Sequence, residues 1–93
     1  MTEQTIKITN STGLHARPAA QFVKVASQFQ SSVELIKDEI VVNGKSILGV
    51  LSLTAERGST LVLRITGEDE QKAVESLYKL LLKILNDEEE NNK

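Results

Sequence analysis

At 93 residues, 40% of them apolar, the chain has material for one folded domain and no second core. A formal net charge of −2 leaves no basic surplus to neutralise phosphates, which excludes a dedicated nucleic-acid binder, and the absence of cysteine excludes a disulfide framework and a thiolate metal site. The start, "MTEQTIKITN", lacks the apolar stretch of a signal peptide, and the longest apolar run, "LLL", is far short of the roughly 20 residues of a spanning helix. The expectation is a cytoplasmic protein that does not insert into membranes.

"TIKIT" alternates apolar and polar residues, the period of a half-buried strand, with Ile6 and Ile8 inward, and "NSTG" ends it. From Ala16 the period changes: Ala19, Phe22, Val23 and Ala26 form one helical stripe. Pro18 fits only the first turn of that helix, where a missing N–H costs nothing. "SVELI" places Val33 and Leu35 on one strand face, and "EIVVN" reads as its antiparallel partner after a turn at Lys37-Asp38. "KSILGVLSL" predicts a short helix from Ile47 to Leu53 with Ser46 as N-cap. "STLVLRIT" alternates again, turning Leu61, Leu63 and Ile65 inward. From Glu68 a helical pattern sets Ala73, Leu77, Leu80, Leu81 and Ile84 on one face, and "GEDEQ" loads acid onto its start, as the helix dipole favours. Residues 1–86 form the domain, and residues 87–93 read as a polar, disordered tail. The element order is that of an α+β protein with helices covering one face of an antiparallel sheet.

Two places carry chemistry. His15, the single histidine, stands at the start of the first helix with Arg17 two residues on. A helix N-terminus offers unpaired N–H groups and a positive field end, and a guanidinium adds a permanent cation. A phosphoryl group taken up on a ring nitrogen would be stabilised there. No second histidine or cysteine exists to complete a nitrogen or sulfur metal set, no G-x-S-x-G elbow marks a serine hydrolase, and no cofactor is expected. An ordinary surface or capping histidine is the alternative.

Ser46 needs no role beyond capping. The short helix behind it, however, is apolar over an arc of roughly 220° at about 100° per residue. Val50 and Leu53 point one way, while Ile47, Leu48 and Leu51 fan out on the other side. Two turns at the edge of a small domain cannot bury that arc, so Ile47, Leu48 and Leu51 form a candidate docking patch unless a loop covers them.

"TGLHARPAA", followed about thirty residues later by "KSILGVLSL", resembles HPr, the histidine-containing phosphocarrier family of the bacterial phosphoenolpyruvate-dependent sugar phosphotransferase system. The likeness covers residues 3 to 85 or so. It implies an open-faced β-sandwich, a four-stranded antiparallel sheet with three helices on one face. His15 matches the histidine phosphorylated on Nδ1 by enzyme I and relieved of its phosphoryl group by enzyme IIA domains of sugar permeases. Arg17 matches the arginine that interacts with that group. Ser46 matches a serine phosphorylated in Gram-positive members by HPr kinase/phosphorylase, after which the protein binds a catabolite control repressor.

Leu48 and Leu51 stand where methionine is common in the family, and Thr54 where glycine is common. The leucines keep the patch apolar while losing the adaptability of methionine. His15 itself favours a carrier, since a sister group of regulatory paralogues lacks that histidine and keeps the serine. A module acting through phospho-Ser46 is the rival. An enzyme using His15 as general base is the weaker third, because no carboxylate is set by sequence to orient the ring. A monomer is expected.

Overall fold

The computed structural model describes residues 1–9 and 13–91, with side chains through Leu85. The elements run β1 (Thr2–Lys7), α1 (Ala16–Ala26), β2 (Ser32–Lys37), β3 (Ile40–Asn43), α2 (Ile47–Ser52), β4 (Thr60–Thr66) and α3 (Glu70–Asn91). The four strands form one antiparallel sheet in the order β1-β4-β2-β3. α1 packs against α2 and α3, α3 lies on β1 and β4, and α2 lies beside β3, so all three helices cover the same face. The expected open-faced sandwich is the observed one.

Alternation in the strands decides which face is covered. Val33 and Leu35 of β2 and Leu61, Leu63 and Ile65 of β4 are buried under the helices, where they meet Ala19, Phe22 and Ala26 of α1 and Ala73, Leu77 and Leu81 of α3. Removing such aliphatic side chains from water stabilises the fold by about 1.5–3 kcal/mol each. Ile84 is also buried, and Val23 and Leu80 pack partly buried at the core's margin. On the open face, Arg64 pairs across the sheet with Glu34 at 2.8 Å and with Glu3 at 3.8 Å.

Several boundaries differ from the sequence reading. Ile8 is buried but lies past the end of β1, where its N–H donates to Ser59 O at 2.8 Å and its carbonyl accepts from Gly58 N at 2.8 Å. The β2–β3 turn is Asp38-Glu39, not Lys37-Asp38: Lys37 still pairs with Ile40. Asp38 and Glu39 have φ of 50° and 71°. Two consecutive left-handed residues match the twist of a two-residue hairpin, which is why the turn moves one residue on. α2 stops at Ser52 with Leu53 as its C-cap, and α3 begins at Glu70. Asp69 O accepts from Ala73 N at 2.9 Å at the start of α3.

α3 continues to Asn91, through residues 87–91 of the segment read as a tail; Asn92 and Lys93 lie outside the described residues. Glutamate is a good helix former, so the acidic run does not by itself stop a helix already under way. Most of "NSTG", residues 10–12, also lies outside the described residues.

Two turns are clamped at the end of the molecule where α3 starts. The Asp69 carboxylate accepts from Gln30 N at 2.9 Å, from Ser31 N at 3.0 Å and from the Ser31 hydroxyl. Gly67, at φ 151°, runs so close that a Cβ there would lie 2.7 Å from Ser31 Cα. These bonds hold the Asp69 carboxyl below its usual range, the Ser31 hydroxyl contributing most. Glu70 next to it accepts from Thr2 Oγ1 at 2.5 Å and Gly67 N at 3.1 Å and pairs with the N-terminal ammonium at 3.0 Å. Its pKa is lowered to about 2, chiefly by the Thr2 hydroxyl, then by the Gly67 amide and the ammonium.

Candidate functional site

His15 is the N-cap of α1, with extended backbone (φ −94°, ψ −166°), and its carbonyl accepts from Ala19 N at 2.9 Å. Its side chain makes no cap hydrogen bond. The ring is half-buried, Arg17 is exposed in the first turn, and Pro18 is buried in the same turn. The first turn of α1 holds no acidic residue. Helical geometry directs the amides of Ala16 and Arg17 toward the space before the helix. His15 and Arg17 therefore both stand at the start of α1, at the positive end of the helix dipole.

The approach to His15 is set by a contact that the sequence does not announce. Leu14 N donates to Ala55 O at 2.9 Å, tying the residue before His15 to the loop after α2. Gly13, at φ 65°, lies against the same carbonyl. A Cβ there would meet Ala55 O at 2.4 Å and Glu56 Cα at 3.0 Å, so only glycine satisfies both the left-handed backbone and the close approach.

Ser46 caps α2 as expected: its Oγ accepts from Gly49 N at 3.0 Å. α2 is about 9 Å long, at roughly 1.5 Å per residue. Ser46 thus lies at the end of α2 away from Ala55. Val50 and Leu53 are buried, whereas Leu48 is 80% and Ile47 43% exposed. Leu51 is partly buried against the core, so the apolar patch centres on Leu48 and Ile47 with Leu51 at its edge.

One residue that sequence reasoning passed over bears on this site. Lys37 ends β2 on the same face as Val33 and Leu35, and its Nζ donates to Leu53 O and Thr54 O, both at 3.1 Å. Its signal is a charged residue at the third in-phase position of an otherwise apolar strand face. Thr54 itself is left-handed, at φ 48°, and its Oγ1 donates to Leu53 O at 2.6 Å. Among the described residues no group of three potential His, Cys, Asp or Glu ligands gathers, and no helix is long and apolar enough to cross a membrane.

The family model for the phosphotransferase system (PTS) HPr component phosphorylation site matches residues 2–83. The chain belongs to the HPr phosphocarrier family, and it is accordingly a phosphoryl carrier of the phosphotransferase system rather than a catalyst. It is 44% identical to phosphocarrier protein HPr of Treponema pallidum over 80 residues, covering 86% of this chain and 91% of that one. It matches the crystal structure of HPr-C-His from Thermoanaerobacter tengcongensis with a TM-score of 0.86 and 45% identity, over 92% of this chain and 97% of that one. A crystal structure of the Bacillus subtilis catabolite repression protein Crh matches with a TM-score of 0.72 and 44% identity, over 89% and 95% of the two chains. That Crh is a domain-swapped dimer, so the family does not dictate the monomer expected from the sequence.

Proposed function

We propose that this protein accepts a phosphoryl group from phospho-enzyme I on Nδ1 of His15 and passes it to enzyme IIA domains of sugar permeases. The observation that carries this reading is His15 as the N-cap of α1, with Arg17 in the first turn. A neutral imidazole offers a ring lone pair to phosphorus, the bond to enzyme I breaks, and a P–N bond forms. The added charge sits at the positive end of α1 beside a guanidinium, both of which favour it. Transfer to enzyme IIA reverses these steps at His15. The protein works in the cytoplasm, as a monomer, and requires no metal or cofactor.

Ile47, Leu48 and Leu51 form the apolar surface onto which partners dock. Ser46 is the regulatory site: a kinase of the HPr kinase/phosphorylase type adds phosphate to its Oγ, and the product is recognised by a catabolite control repressor. The likeness to Crh supports this regulatory branch, and His15 supports the carrier branch.

Incubation with enzyme I and phosphoenolpyruvate tests the central reading. A carrier becomes labelled on His15 with an acid-labile, base-stable phosphoryl group. A protein that stays unlabelled, yet is phosphorylated on Ser46 by ATP and the kinase, is a regulator instead.

A further inference from the structure

We propose that Lys37 is a positioning residue for phosphoryl transfer at His15. Its ammonium holds the turn after α2 in the conformation that lets Ala55 receive the Leu14 amide. This inference rests on His15 being the phosphoryl acceptor.

The contacts run in one direct series. Strand alternation aims Lys37 at the helix-covered face, where an amine is costly unless it finds acceptors. It finds them in Leu53 O and Thr54 O at the C-terminal end of α2, where carbonyls lack helical partners and a cation is favoured. Between those carbonyls lies Thr54, whose φ of 48° is unfavourable for a β-branched residue and persists only where the surroundings impose it. The next residue is Ala55, buried, whose carbonyl accepts from Leu14 N at 2.9 Å. Leu14 is followed by His15, the N-cap of α1. Without the ammonium, both carbonyls turn toward water, Thr54 leaves the left-handed region, and Ala55 O moves away from Leu14. The His15 ring then loses its fixed direction relative to the incoming phosphorus.

The experiment compares wild type, Lys37→Met and Lys37→Met/Thr54→Gly as substrates of enzyme I with phosphoenolpyruvate, by rapid-quench measurement of phosphohistidine. Lys37→Met is expected to lower the maximal rate by about tenfold, a modest part of what misplacing a reacting group by 1 Å costs, with KM within about twofold of wild type. The double variant is expected to recover most of that loss, because glycine holds a positive φ without the ammonium. Hydrogen exchange at the Leu14 amide should quicken in Lys37→Met and slow again in the double variant.

An unchanged maximal rate in Lys37→Met overturns the proposal. So does a change confined to KM, which would make Lys37 a contact for enzyme I. A double variant as slow as Lys37→Met also overturns it, since the charge and not the turn would then matter. Should wild type itself take no phosphoryl group from enzyme I, the reading of His15 fails, and Leu14 exchange in the three proteins decides the Lys37 proposal alone: quickening reversed by glycine supports it, unaltered exchange defeats it.

Discussion

Threonine is a poor occupant of left-handed backbone, yet Thr54 adopts φ 48° at the end of α2. A left-handed conformation costs an L-residue roughly 1–2 kcal/mol, and glycine's extra chain entropy costs about 0.5–1 kcal/mol. Thr54→Gly should therefore stabilise the protein by about 0.5–1 kcal/mol, read as a higher urea midpoint with an unchanged slope. A lower midpoint would mean that the Thr54 Oγ1 bond to Leu53 O outweighs the strain. The proposed carrier site makes a second prediction at this scale. His15→Ala should abolish phosphoryl uptake and change stability by less than about 0.5 kcal/mol, because His15 lies outside the core. Arg17→Ala should slow uptake without ending it, since the amides of the first turn remain. Quantifying phosphohistidine and the melting temperature of each variant checks both, and an Arg17→Ala protein with the wild-type rate would remove Arg17 from the site.

α2 joins a cap to a surface. Phosphorylation at Ser46 would add about −1.5 to −2 charge at the start of the helix. The helix tolerates it, because an anion at an N-terminus is favourable by roughly 0.3–1 kcal/mol on an exposed site. A partner that must desolvate that charge beside Ile47 and Leu48 does not. Ser46→Asp should therefore slow phosphorylation of His15 by enzyme I with little change in melting temperature. Leu48, 80% exposed, contributes little to folding, so Leu48→Ala should weaken enzyme I binding in calorimetry while melting as wild type does. A large drop in melting temperature for Ser46→Asp would make Ser46 a structural cap alone. Wild-type binding by Leu48→Ala would move the docking surface elsewhere.

Across the whole molecule, Asp69 and Glu70 bind the start of α3 to the α1–β2 turn and to the chain start, and both carboxyls are held below their usual range. A lowered folded-state pKa means that the unfolded chain takes up protons first as pH falls. The stabilisation is thus complete at neutral pH and is lost progressively as pH drops from 4.5 toward about 2, the span between the ordinary and the lowered Glu70 values. Glu70→Gln should melt below wild type at pH 7, and the gap should close as the pH approaches 2. A gap of constant size over that range would show that Glu70 plays no part in acid unfolding.

Local chemistry was legible in the chain itself. Alternation identified the buried sides of β2 and β4 because a strand's side chains turn over every second residue. A proline that only a first turn accepts set the start of α1, and with it the station of His15 and Arg17; a serine before an apolar run marked the cap of α2. The sheet order β1-β4-β2-β3, the move of the hairpin turn to Asp38-Glu39 and the course of α3 to Asn91 were decided only by the tertiary structure. So were the partners of the polar groups: Lys37 on Leu53 O and Thr54 O, Asp69 on Ser31, Leu14 N on Ala55 O. Periodicity reports which face of an element avoids water, a property of neighbours in sequence. It carries no information on which distant carbonyl a half-buried amine or a backbone amide will meet, because that depends on how the faces are brought together.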